Sequence, residues 1–139
     1  MKVLIDTNVL IDFYGKRPLF YDAAEKIMEL CTMKKIDGCI AAHSVTNAFY
    51  ILRKDMPLEL RRSTLKDLCA IITVVGIDSE KLISALDNEE FSDVEDCLQS
   101  ECAKDYSASY IITRNIKDFE HSAVPAISPD DFLKNVLGL

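Results

Sequence analysis

The chain has 139 residues, 49% of them hydrophobic, and its 16 basic against 23 acidic residues leave a net charge of −7. That length supports a sizeable core in one expected domain, residues 1–139, and the apolar content argues against disorder. The acidic balance excludes charge-driven binding to nucleic acid or anionic membranes, but not a nucleic-acid enzyme whose bound cations reverse the local field. No apolar run reaches transmembrane length and no signal-peptide pattern opens the chain, so the expectation is a cytoplasmic protein with no membrane partner. Cys31, Cys39, Cys69, Cys97 and Cys102 are scattered without a C-x-x-C pair, and they read as reduced core residues.

In chain order, Val3 to Ile5 predicts a short buried strand with Asp6 at its carboxyl end. Thr7 or Asn8 is placed to cap a helix carrying Val9, Leu10 and Phe13. Gly15 to Pro18 predicts a loop, and Phe20, Ala24, Ile27 and Cys31 recur as one face of a second helix. Asp37-Gly38 suggests a turn and Cys39 to Ala42 a strand. Ser44 then caps a helix whose apolar face is Val45, Ala48, Phe49 and Leu52.

Pro57 opens a helix carrying Leu58, Leu65, Leu68 and Cys69, and Ile71 to Val75 predicts another strand. Asp78 or Ser79 caps a helix with Leu82, Ile83 and Leu86. Ser92-Asp93-Val94-Glu95 has the capping-box spacing before a helix that buries Val94, Cys97, Leu98 and Cys102. Tyr110 to Ile112 and Val124 to Ile127 complete the strands, the latter at an edge because Pro125 cannot donate to a ladder. Ser128-Pro129 starts a terminal helix. About five strands alternating with helices predict an α/β fold, a mainly parallel sheet covered on both faces.

Acids fall where strands end or helices begin: Asp6, then Asp93 with Asp96 on one face of a first turn, then Asp118 just past a strand. Caps and turns explain part of this pattern. If these carboxylates converge, their repulsion calls for a cation, and hard oxygen ligands suit Mg²⁺ or Mn²⁺, ions that support phosphodiester hydrolysis.

Asp6-Thr7-Asn8-Val9-Leu10-Ile11-Asp12, Asp93-Val94-Glu95-Asp96-Cys97-Leu98-Gln99 with Ala103, and Thr113-Arg114-Asn115 with Asp118-Phe119 resemble the motifs of PIN-domain proteins, of the VapC-like toxin ribonuclease kind. The resemblance covers nearly the whole chain. It implies a three-layer fold, a parallel sheet sandwiched by helices with acids at its carboxyl edge. It also implies Mg²⁺- or Mn²⁺-dependent cleavage of RNA, a small antitoxin partner and a homodimer. Carried over residue by residue, Asp6 and Asp96 match the metal ligands. Asp118 matches the acid of the closing motif, and Asp93 an extra acid found in part of the family. Asn8 and Thr113 match orienting polar positions, and Asn115 stands where some members have Asp.

One position departs from the pattern. Where the family usually has a Glu early in the helix after the second strand, this chain has Asn47, which supplies no charge. The alternative reading is therefore a catalytically weakened or inactive PIN fold serving as a protein- or RNA-binding module. His43 and His121 are too few for a histidine metal site. His43 could reach the cleft from the start of its helix, although a capping or surface role fits it better, and Arg17 and Arg114 suggest either phosphate contacts or local ion pairs.

Overall fold

The computed structural model describes residues 1–139. Strands β1 (Lys2–Ile5), β2 (Asp37–Ala41), β3 (Thr73–Val75), β4 (Tyr110–Ile112) and β5 (Ala126–Ile127) form one sheet in the order β3-β2-β1-β4-β5, every pairing parallel. Parallel strands need crossovers, and helices supply most of them. These are α1 (Thr7–Tyr14), α2 (Tyr21–Thr32), α3 (Ala42–Ile51), α4 (Leu58–Ile71), α5 (Ser79–Asp87) and α6 (Val94–Asp105). The short α7 (Pro129–Asp131) ends the chain and passes into a wider helical turn over Phe132–Val136.

Alternation along the central strand divides the core. Val3 and Ile5 face one side, packing with Val9, Leu10, Ile27, Leu52, Leu68 and Phe132 from the helices there. Leu4 faces the other, with Cys39, Ala41, Ile111, Cys102 and Ala103. Because both faces are covered, β1 reads as an unbroken apolar run rather than an alternating one. The expected three-layer α/β architecture is present.

Local details differ from the sequence expectations. Asp37 and Gly38 belong to β2 rather than to a turn, and the reason is packing: a Cβ on Gly38 would lie 2.7 Å from the Cys31 thiol. Three expected caps move. Asp6, not Thr7 or Asn8, occupies the cap position of α1, and its side chain is turned away to other partners. Ser44 lies inside α3, which begins two residues earlier. Asp93, not Ser92, caps α6, its carboxylate accepting from the Glu95 and Asp96 amides.

The apolar residues of α5 point outward. Ala85 is the buried residue of that helix and packs beside Cys97 and Leu98, leaving Leu82, Ile83 and Leu86 exposed. Val94 and Cys69 are likewise exposed, whereas the other four cysteines are buried free thiols. Burial pushes the Cys31 and Cys39 thiols up to about 12, which makes them unreactive core residues. No helix is long and apolar enough to cross a membrane.

Candidate functional site

The chain winds outward from β1 through β2 to β3, then returns to place β4 on the opposite flank of β1. The carboxyl ends of β1 and β4 therefore border the switch point, the crevice where open α/β sheets bind ligands. Asp6 leaves β1 there and Thr113 leaves β4 beside it, tied by the Asp6 amide donating to the Ile112 carbonyl at 3.0 Å.

Asp6 is only 5% exposed, and its carboxylate is held from two sides. Gln99 Nε2 on α6 donates to Oδ1 at 2.7 Å, and Thr113 Oγ1 donates to Oδ2 at 2.6 Å. Each partner is itself fixed. Thr113 Oγ1 accepts from Asn8 Nδ2 at 3.3 Å and from the Asn115 amide at 3.0 Å. Ser44 Oγ donates to Gln99 Oε1 at 3.5 Å and accepts from Thr7 Oγ1 at 2.8 Å. One short network thus joins α1, α3, α6 and the end of β4 around one carboxylate. Burial raises the Asp6 pKa, and the Thr113 and Gln99 bonds oppose that rise.

A cleft of about 340 Å³ opens above this network. Asp6, Thr7, Asn8 and Ile11 form its floor, His43, Asn47 and Ile51 one wall, and Glu95, Asp96 and Gln99 the facing wall, with Arg114 and Asn115 at the end of β4. Asp96 sits half-buried in the first turn of α6. Burial, then the charges of Asp93, Asp6, Asp118 and Glu95, push its carboxyl up to about 7. Every one of those causes acts in the same direction, so the acids around Asp96 crowd one another. Arg114 does not offset this crowding, because its Nε and Nη2 donate to the Asp12 carboxylate at 2.5 and 3.1 Å while its guanidinium lies over the Phe20 ring. Arg17 is likewise paired, with Asp55.

The sequence candidates are thus only partly gathered. Asp6, Asp96, Asn8, Asn47 and Asn115 line the cleft, and Thr113 supports it from beneath. Asp93 is engaged as the α6 cap, and Asp118 is exposed on a single 3₁₀ turn, Ile116–Phe119; both act on Asp96 through charge. Among the cleft residues, Gln99 and Glu95 were not singled out in the sequence as site candidates. Gln99 lies three residues after Asp96 and so shares its helix face, the one signal available for it.

No three histidine, cysteine or carboxylate side chains converge closely enough to enclose an ion. The donor set nevertheless fits a hard cation, of the kind that takes one or two carboxylates and fills its remaining positions with water and substrate phosphate. Asp6 and Asp96 could hold it, and the surplus negative charge at Asp96 is what such a cation would neutralise. A larger hollow between α5 and α6 is also acid-rich, but there Lys81 pairs with Asp105 at 2.9 Å and Lys104 lines the same space.

A family model of the PIN domain matches residues 2–117. The chain belongs to the PIN domain family. Its relatives include ribonuclease VapC1 of Aquifex aeolicus (strain VF5), 24% identical over 94% of this chain and 92% of that protein. Among solved structures, VapC20 of Mycobacterium tuberculosis, a sarcin-ricin loop cleaving toxin, superposes with a TM-score of 0.71 at 11% identity, covering 91% of this chain and 99% of the other. A toxin–antitoxin complex from Klebsiella pneumoniae does so with a TM-score of 0.66 at 21% identity, covering 91% and 97%. At such identities the structural matches show a PIN fold.

Proposed function

We propose that this PIN chain, folded as one domain, is a divalent-cation-dependent endoribonuclease and the toxin of a toxin–antitoxin pair. The observation that carries the reading is the pair Asp6 and Asp96 at the switch-point cleft, one fixed by four elements and the other crowded by neighbouring acids. Family membership, the VapC1 relative and the toxin–antitoxin relatives support the same substrate class and a small antitoxin partner.

Asp6 and Asp96 would hold Mg²⁺ or Mn²⁺, with Asp93 and Asp118 adding charge from the rim. Such a cation, when bound, would supply Lewis acidity for phosphodiester hydrolysis. The protein's own part is positioning. Gln99 and Thr113 prevent Asp6 from rotating, and Asn8 holds the Thr113 hydroxyl so that its proton points at Asp6. Asn47 contributes a polar oxygen without charge, so the site leans on Asp6 and Asp96 more than a four-acid site would.

The test is cleavage of a labelled single-stranded RNA by the purified chain in Mn²⁺. Cleavage is expected to stop on addition of EDTA and to return when Mn²⁺ is restored. A folded chain that cuts no RNA at millimolar Mn²⁺ or Mg²⁺ contradicts this reading and favours a non-catalytic PIN module.

A further inference from the structure

We propose that Asp12 is a positioning residue for the cleft, acting through Arg114 to keep the Thr113 hydroxyl on Asp6. The inference rests on the ribonuclease reading above. Asp12 closes the opening acidic motif, yet it does not line the cleft and is 1% exposed, so it can touch neither a cation nor RNA there. A buried carboxylate needs a partner, and this one finds it 102 residues further along the chain. Arg114 Nε and Nη2 donate to its two oxygens at 2.5 and 3.1 Å, a two-pronged grip that fixes orientation as well as distance.

What the grip holds is the turn after β4. The sheet anchors the Thr113 amide on the Ile127 carbonyl at 2.9 Å, and the ladder stops there. Asn8 and Asp12 are four residues apart on α1 and so share a face of that helix. Asn8 Oδ1 accepts from the Arg114 amide at 3.4 Å, and Asn8 Nδ2 donates to Thr113 Oγ1 at 3.3 Å. Both bonds are long, and neither fixes the turn firmly by itself. The Arg114 side chain supplies the firmer tie to the same helix, its guanidinium covered by the Phe20 ring at 4.1 Å.

A hydroxyl has one proton and two acceptor sites. On Thr113 those sites take Asn8 Nδ2 and the Asn115 amide, at 3.3 and 3.0 Å, which leaves the proton for Asp6 Oδ2 at 2.6 Å. If residues 114 and 115 swing away, one acceptor site empties and the hydroxyl is free to turn. Stability alone does not call for the pair, because apolar side chains of similar volume often serve a core as well as a buried ion pair does. Arg114 is also the one lysine or arginine lining the cleft, and it is committed to Asp12 rather than left free for phosphate.

The experiment titrates wild type, Arg114→Ala and the double variant Asp12→Leu/Arg114→Ala with Mn²⁺ by calorimetry, at a temperature where all three are folded. The double variant loses one negative and one positive charge, so net charge is unchanged and no orphaned acid remains. Any unfolded protein lowers the stoichiometry and not the affinity. Both variants are expected to bind Mn²⁺ about 10-fold more weakly than wild type, even though the double variant is the more stable of the two, and RNA cleavage is expected to fall with binding. Wild-type Mn²⁺ affinity in the double variant would overturn the inference, reduce the pair to a structural role and leave the ribonuclease reading intact. A wild type that neither binds Mn²⁺ nor cuts RNA overturns both.

Discussion

Replacing Asp6 by Asn is expected to reduce RNA cleavage in Mn²⁺ by more than about 100-fold while leaving the fold in place. Even partners one bond removed from a metal ligand are worth about 10–100-fold in affinity or activity, and Asp6 is the acid to which those partners point. The fold should survive because the amide has the same shape. Its oxygen can still accept from the Thr113 hydroxyl, and its NH₂ can donate to Gln99 Oε1 once the Gln99 amide turns over. The substitution also removes a buried carboxylate whose burial disfavours its charge. The thermal midpoint is therefore expected to stay at or slightly above that of wild type. Single-turnover cleavage beside a melting curve checks both halves. An Asp6→Asn chain that is folded and cuts at the wild-type rate would remove Asp6 from the chemistry.

Replacing Arg114 by Ala is expected to destabilise the chain by about 3 kcal/mol, measured by urea unfolding. Asp12 is 1% exposed, and the Arg114 guanidinium grips it through two hydrogen bonds. Breaking a buried pair by removing one partner costs about 3–5 kcal/mol, chiefly because the other charge is left uncompensated. The lower end applies because the Arg114 side chain is 32% exposed. Its contact over Phe20 adds to the loss. Combining Arg114→Ala with Asp12→Leu should recover part of the stability, since the orphaned charge is then gone. A single variant as stable as wild type would mean that the pair contributes nothing beyond its geometry.

Much of the architecture was readable in the sequence because it is written in local periodicity. Val3 to Ile5 and Tyr110 to Ile112 are continuous apolar runs, and parallel strands buried on both faces look like that. The position of Asp6 at a strand end followed directly. Partner choice was harder to read. Gln99 reaches Asp6 across 93 residues and Arg114 reaches Asp12 across 102, and only the strand order decides that those neighbours meet. Capping was ambiguous for a different reason. Ser92 and Asp93 can both accept from a helix's first amides, and a shift of one residue changes which of them does. On α5 the periodicity was present but marked the solvent side, because Ala85 is small enough to bring that helix close to α6. His43, at the start of the helix after β2, was within reach of the cleft on the sequence alone, but its place in the wall depends on α3 starting at Ala42.

The most direct measurement is a calorimetric titration of the metal-free chain with Mn²⁺, at a pH above 7, where Asp96 is ionised. The expected result is saturable binding at sub-millimolar Mn²⁺ by wild type, lost in Asp96→Asn and in Asp6→Asn while both variants remain folded. Binding that is absent from wild type up to several millimolar, or that is unchanged in the two variants, would contradict the assignment of this cleft as a cation-dependent active site.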